Sequence, residues 1–160
     1  MNLTLVGMPG SGKSTVGKEL AGRLDYSFID IDRLMEKNEG QPVQRILDRL
    51  GDEKFLQLEE MTVLSLKPYN AVISPGGSIV YMEKAIEFLR ENSTLIYLDV
   101  PLPVIKERIS REPARGIVGG SAEEVFAERK PLYERYADVT VSGERSVDST
   151  VEVILKYLLS

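Results

Sequence analysis

Short apolar runs alternate along this chain with longer stretches in which apolar residues return every three or four positions. Runs of strand length fall at 2–6, 27–29, 71–74, 94–98 and 139–141. A helical period predicts helices over 13–24, 31–38, 43–50, 52–66, 82–91, 102–110, 122–136 and 148–159. In the first of these Val16, Leu20 and Leu24 share a face, and Asp148-Ser149-Thr150 offers capping side chains for the last. Gly40, Pro42 and Gly51 punctuate the region between the second strand and the long helix at 52–66. Strands separated by helices need crossover connections, so the pattern predicts an α/β protein built on a five-stranded parallel sheet.

One stretch does more than connect a strand to a helix. Gly7-Met8-Pro9-Gly10-Ser11-Gly12-Lys13-Ser14-Thr15 fits G-x-x-x-x-G-K-[ST] and lies between the first apolar run and the first helix. Backbone N–H groups in such a loop, and at the helix N-terminus that follows, converge on polyphosphate oxygens. The lysine supplies charge for the outer phosphates and the hydroxyl after it can ligate Mg²⁺. Gly10, Ser11, Gly12, Lys13, Ser14 and Thr15 are therefore the expected nucleotide-binding residues, with ATP and Mg²⁺ as the implied cofactors.

The length of 160 residues suits a single domain with a real core, and 42% hydrophobic with 28% charged residues is an ordinary soluble composition. A net charge of −5 leaves no basic surplus for nucleic acid or an anionic membrane surface. With neither cysteine nor histidine, the chain has no disulfide, thiolate nucleophile, imidazole base or usual zinc ligand. Any general base must be a carboxylate, a lysine or water. The chain opens directly into its first strand without a basic flank and long apolar region, and no run of about eighteen apolar residues occurs. A cytoplasmic enzyme acting as a monomer on a small molecule is the expectation.

Further candidate chemistry sits at strand ends. The second strand finishes Phe28-Ile29-Asp30-Ile31-Asp32, and in extended chain the two carboxylates share a face. If this strand neighbours the first, they stand beside the phosphate loop, one holding Mg²⁺ through water and the other accepting a proton from a substrate hydroxyl. The third strand breaks into Pro75-Gly76-Gly77-Ser78, where backbone can approach a ligand closely. Arg129, in Glu128-Arg129-Lys130-Pro131-Leu132-Tyr133, offers a guanidinium able to clamp a carboxylate with two hydrogen bonds. Between two helices, residues about 111–123 carry three glycines and Arg115, a flexible lid candidate whose arginine can swing over bound phosphate.

Taken in order and spacing, these pieces resemble the shikimate kinase family, within the nucleoside-monophosphate-kinase branch of P-loop phosphotransferases. The resemblance spans nearly the whole chain: Gly7 to Ala21, Phe28 to Asp32, Gly51-Asp52-Glu53-Lys54-Phe55 with Glu59, Ser74-Pro75-Gly76-Gly77, Arg115, and Arg129 to Tyr133. It implies a three-layer α/β/α P-loop kinase fold with an acceptor-binding helical region at about 31–60, and ATP-dependent phosphorylation of a shikimate hydroxyl in aromatic amino-acid biosynthesis. Carried over position by position, it makes Lys13, Asp32 and Arg115 catalytic, with Asp32 the base. Ser14 ligates Mg²⁺ and Asp30 orients it through water. Arg108, Arg115 and Arg145 join the nucleotide site, and Asp32, Phe55, Glu59, Gly76, Gly77 and Arg129 surround the acceptor.

Three positions depart from the family pattern. Leu56 stands where a second carboxylate-clamping arginine is expected, Ser78 replaces the third glycine of the turn, and Arg115-Gly116-Ile117-Val118 replaces Arg-Pro-Leu-Leu in the lid. Arg45, Arg49 or Lys54 could take over the missing clamp. Otherwise Leu56 favours a less acidic acceptor, such as gluconate or a hydroxy amino acid. A non-catalytic nucleotide-binding regulator is the alternative from another class.

Overall fold

A computed structural model of the protein describes residues 1–111 and 120–160. The elements run β1 (Leu3–Val6), α1 (Lys13–Leu24), β2 (Ser27–Asp30), α2 (Ile31–Glu39), α3 (Val43–Leu50), α4 (Asp52–Leu64), β3 (Ala71–Ser74), a 3-10 helix (Gly77–Tyr81), α5 (Glu83–Asn92), β4 (Thr94–Asp99), α6 (Leu102–Arg111), α7 (Ala122–Tyr136), β5 (Val139–Ser142) and α8 (Val147–Leu159). The five strands form one parallel sheet in the order β2-β3-β1-β4-β5. Thus the fold is the expected α/β class, and each strand and α-helix lies within a few residues of its sequence expectation.

Alternation along the strands sorts the core onto two faces. Leu3 and Leu5 of β1, Val72 of β3 and Ile96 and Leu98 of β4 pack with Val16 and Leu20 of α1 and Val151 and Ile154 of α8. On the opposite face Ile73, Leu95 and Tyr97 join Met35, Ile46, Phe55, Ile86 and Tyr133 from α2, α3, α4, α5 and α7. Helices covering both faces make the three-layer α/β/α arrangement. They also explain why β1, β3 and β4 read as nearly unbroken apolar runs: no side of these strands meets water.

The strand order corrects one premise. β3, not β2, is the neighbour of β1 on that side of the sheet. From β1 the chain crosses to one side of the sheet, and from β3 it crosses to the other, so the carboxyl ends of these strands frame a crevice. Caps set the ends of the helices around it. The Asp30 carboxylate accepts from the Arg33 amide at the start of α2 (3.4 Å), and Ser121 accepts from Glu124 at the start of α7 (3.2 Å). For α8 the cap is Ser146, accepting from the Ser149 amide at 3.1 Å, whereas Asp148-Ser149-Thr150 already lies in the first turn of the helix. No helix among the described residues is long and apolar enough to cross a membrane.

Candidate active site

The loop between β1 and α1 is wound by glycines. Gly10 and Gly12 have φ of 82° and 94°, a left-handed backbone that favours glycine, and the Ser11 amide donates to the Met8 carbonyl at 3.1 Å. Lys13, in the first turn of α1, folds back so that Nζ donates to the Gly7 and Met8 carbonyls at 2.8 and 3.0 Å. Burial pushes its ammonium pKa down to about 8, against the pull of Asp32. Ser11 Oγ is buried with no hydrogen-bond partner among the described residues, a polar atom facing the cradle. From α6, Arg108 donates to the Gly10 carbonyl (3.3 Å) and to the Gly143 carbonyl after β5 (3.0 Å), tying the phosphate loop to the far side of the sheet.

At the neighbouring strand end, Ser14 Oγ donates to Asp30 Oδ2 at 3.0 Å. The two meet although β3 separates their strands, because α1 packs over β3 and β2 as well as β1. Asp30 and Asp32 do not share a strand face as expected. Asp30 ends β2 and caps α2, while Asp32 already belongs to the first turn of that helix. Burial, and next the charge of Asp30, raises the Asp32 pKa to about 6, with Lys13 opposing. No group of three or more acidic side chains among the described residues could hold a metal by itself. The Ser14–Asp30 pair suits Mg²⁺, which binds through one or two protein oxygens and completes its shell with phosphate and water.

The acceptor end is built from α4, the turn after β3, and α7. Phe55, Glu59 and Arg129 are each 1% exposed, yet all three border the same opening. Arg129 lies 5.3 Å from the Tyr81 ring centroid and so close to Gly77 that a Cβ there would stand 2.9 Å from its Nη1. Burial, reinforced by Asp32, pushes the Glu59 carboxyl up to about 7. Gly10 to Thr15, Asp30, Asp32, Phe55, Glu59, Gly76, Gly77, Arg108, Arg129 and Arg145 all line one cleft of about 1200 Å³. A triphosphate at one end of it and a small acceptor at the other would meet over Lys13 and Asp32.

A family model for shikimate kinase matches residues 9–159. The chain belongs to the shikimate kinase family. It is 38% identical over 147 residues to the shikimate kinase of Persephonella marina, covering 89% of each chain. It is 33% identical over 162 residues to that of Aquifex aeolicus, covering 99% of this chain and 96% of the other. The structure of Acinetobacter baumannii shikimate kinase in complex with shikimate superposes with a TM-score of 0.92 at 27% identity, covering 99% of this chain and 92% of that one. As a member of this family the protein is an ATP-dependent kinase, and the regulator reading falls away.

Of the residues expected at a shikimate kinase site, Arg115 and the lid around it lie outside the described residues. Leu56 does not border the main cleft. It packs partly against the core and faces a separate groove with Tyr81 and Met82. None of its three suggested substitutes reaches the cleft either, and Arg49 pairs instead with Glu39 at 3.1 Å. The sequence reading missed Arg33 and Glu36 on α2, Gln44 on α3, Ser78, Arg111 and Gly143, all of which line the cleft. Arg33 and Glu36 follow Asp32 by one and four residues, so placing Asp32 on a helix would have found Glu36 on its face.

Proposed function

We propose that this enzyme transfers the γ-phosphoryl group of ATP to the 3-hydroxyl of shikimate. The observation that carries the reading is the convergence, in a chain of this family, of the phosphate loop, the Asp30–Asp32 pair and the Arg129 wall on a single cleft. The amides of Gly10 to Thr15 and the Lys13 ammonium hold the phosphates and neutralise charge as it moves to the leaving oxygen. To take up the terminal phosphate, Lys13 exchanges its bonds to the Gly7 and Met8 carbonyls. Arg108 and Arg145 flank the nucleotide base.

Mg²⁺ would be held by Ser14 Oγ and, through water, by Asp30, which lie 3.0 Å apart, and would supply positive charge to offset the negative charge developing on the phosphates. Asp32 aligns the attacking hydroxyl and accepts its proton at a carboxylate oxygen. Arg129 holds the acceptor's carboxylate, while Phe55 and the Gly76-Gly77 backbone set its ring against the cleft wall. In this reading residues 1–160 serve as one kinase domain that carries every group assigned here, in keeping with a monomeric enzyme.

Incubation with Mg·ATP and shikimate, read by ³¹P NMR and mass spectrometry, tests the assignment. The expected result is shikimate phosphorylated at one hydroxyl, with Asp32→Asn lowering kcat by about 10²-fold or more. ATP binding without phosphorylated shikimate, or faster turnover of gluconate, overturns the acceptor. Near-normal kcat in Asp32→Asn removes it as the base.

A further inference from the structure

The turn that forms the acceptor wall is braced from both sides. On one side Glu59 of α4 receives the Gly76 N–H at Oε1 (2.9 Å) and the Ser78 hydroxyl at Oε2 (3.3 Å). On the other, the Tyr133 hydroxyl of α7 donates to the Gly77 carbonyl at 2.5 Å. The brace is tight: a Cβ on Gly76 would lie 2.6 Å from Glu59 Oε1. Such a contact is closer than side chains adopt, so a Cβ there would push the carboxylate aside and break its bond to the Gly76 amide. Leu56, one helical turn before Glu59, is apolar and faces the other groove. Ser78 is thus the side chain that bonds this carboxylate. Both oxygens are engaged by the wall, Oε1 by the Gly76 backbone and Oε2 by the Ser78 side chain.

We infer that Glu59 is a positioning residue: with Ser78 as its partner, it clasps the Gly76-Gly77 turn and so holds that turn against Arg129, fixing the cleft wall on which the acceptor lies. This rests on the kinase reading above and replaces the expectation that Glu59 itself binds the acceptor. What matters in a clasp is reach and hydrogen-bond partners, and charge is secondary. Glutamine keeps both, since its carbonyl can accept from the Gly76 amide and its NH₂ can donate to Ser78 Oγ. Aspartate keeps the charge and loses the reach.

Steady-state kinetics with shikimate and Mg·ATP varied separately, on folded variants checked by thermal melting, distinguish these roles. Glu59→Gln should hold the shikimate KM within about threefold of the parent, whereas Glu59→Asp and Glu59→Ala raise it about tenfold or more. The KM for Mg·ATP stays put in all of them. Ser78→Ala should raise the shikimate KM about threefold and add nothing on top of Glu59→Ala. The inference is overturned if Glu59→Gln is as impaired as Glu59→Asp, because charge would then be acting on the acceptor. It also fails if the Ser78→Ala and Glu59→Ala effects multiply. Should Glu59→Ala not fold, the Gln and Asp variants decide between clasp and charge. Shikimate turnover by the unaltered protein in the same assay keeps failure of the clasp separate from failure of the kinase assignment.

Discussion

Replacing Arg129 with methionine isolates what one guanidinium does for the acceptor. The side chain is 1% exposed and borders the cleft beside Gly77, while Leu56 faces away and none of Arg45, Arg49 and Lys54 reaches the opening. Under the proposed function, a carboxylate held at this wall is gripped chiefly by Arg129, although Lys13 and Arg33 also line the cleft. A charge-assisted hydrogen bond contributes about 1.5–3 kcal/mol, or a factor of about 10–100 in affinity. Methionine fills a similar volume but loses the contact with the Tyr81 ring, about 0.5–2 kcal/mol, together with the guanidinium's side-chain hydrogen bonds to Tyr81 and Tyr133. In a chain of this size that lowers the melting temperature by about 2–4 °C per kcal/mol. The shikimate KM should rise about 10- to 100-fold with kcat within about threefold, as read by ADP release at saturating Mg·ATP. Shikimate methyl ester, which lacks the charge, should show no such change, and Arg129→Lys should fall between because an ammonium has no fork to offer. Equal losses for shikimate and its ester, or a shift in the Mg·ATP KM instead, would refute the reasoning.

Other perturbations follow from single contacts. Gly77→Ala places a Cβ 2.9 Å from both Arg129 Nη1 and Pro9 Cδ and 3.2 Å from the Gly7 carbonyl. Urea melts should record a loss of about 1–3 kcal/mol, and a parent-like stability would mean the loop and turn can part. Lys13→Met should reduce kcat by about 10²-fold or more while the fold, followed by circular dichroism, persists; an unchanged kcat removes Lys13 from the transfer step. Glu59→Gln should also change how stability depends on pH. Burial, then the charge of Asp32, raises the folded Glu59 pKa from 4.5 to about 7, with Lys13 and the bonds from Gly76 and Ser78 opposing. The folded parent thus binds an extra proton across that window and loses stability as pH rises through it. Glutamine does not titrate, so the variant should match the parent near pH 4 and exceed it by about 3 kcal/mol near pH 8. A difference independent of pH in denaturant titrations would contradict this. In Gly17→Ala the new Cβ would sit 2.7 Å from Phe28 Cε1. The expected overpacking of about 1–3 kcal/mol outweighs the gain in helix propensity of about 1 kcal/mol, and calorimetry should register a lower melting temperature.

Periodicity made the elements legible, because strands buried on both faces and helices with one apolar stripe leave different spacings in the chain. It could not give the order of the strands. Nothing near Phe28 or Ala71 states that β3 rather than β2 lies against β1, since register and neighbour choice depend on packing across the whole sheet. Asp32 was legible as a cleft residue and misplaced as geometry: the helix begins one residue after Asp30, which takes the second carboxylate off the strand face. The 3-10 helix Gly77–Tyr81 left no signal beyond the Pro75-Gly76-Gly77-Ser78 break, because a helix this short has too few residues to show a period. Glu59 was visible as a site residue, but its direction was not. Only coordinates reveal that both its oxygens meet Gly76 and Ser78.

The Ser14–Asp30 hydrogen bond joins the helix that carries the phosphates to the strand end from which the acceptor helices depart. Under the proposed function a rearrangement of one partner would reach the other, and the two ligands would be thermodynamic neighbours even where they do not touch. Linkage then demands reciprocity: the factor by which Mg·ATP alters the dissociation constant of shikimate must equal the factor by which shikimate alters that of Mg·ATP. Cutting this bond with Ser14→Ala should bring both factors toward unity together.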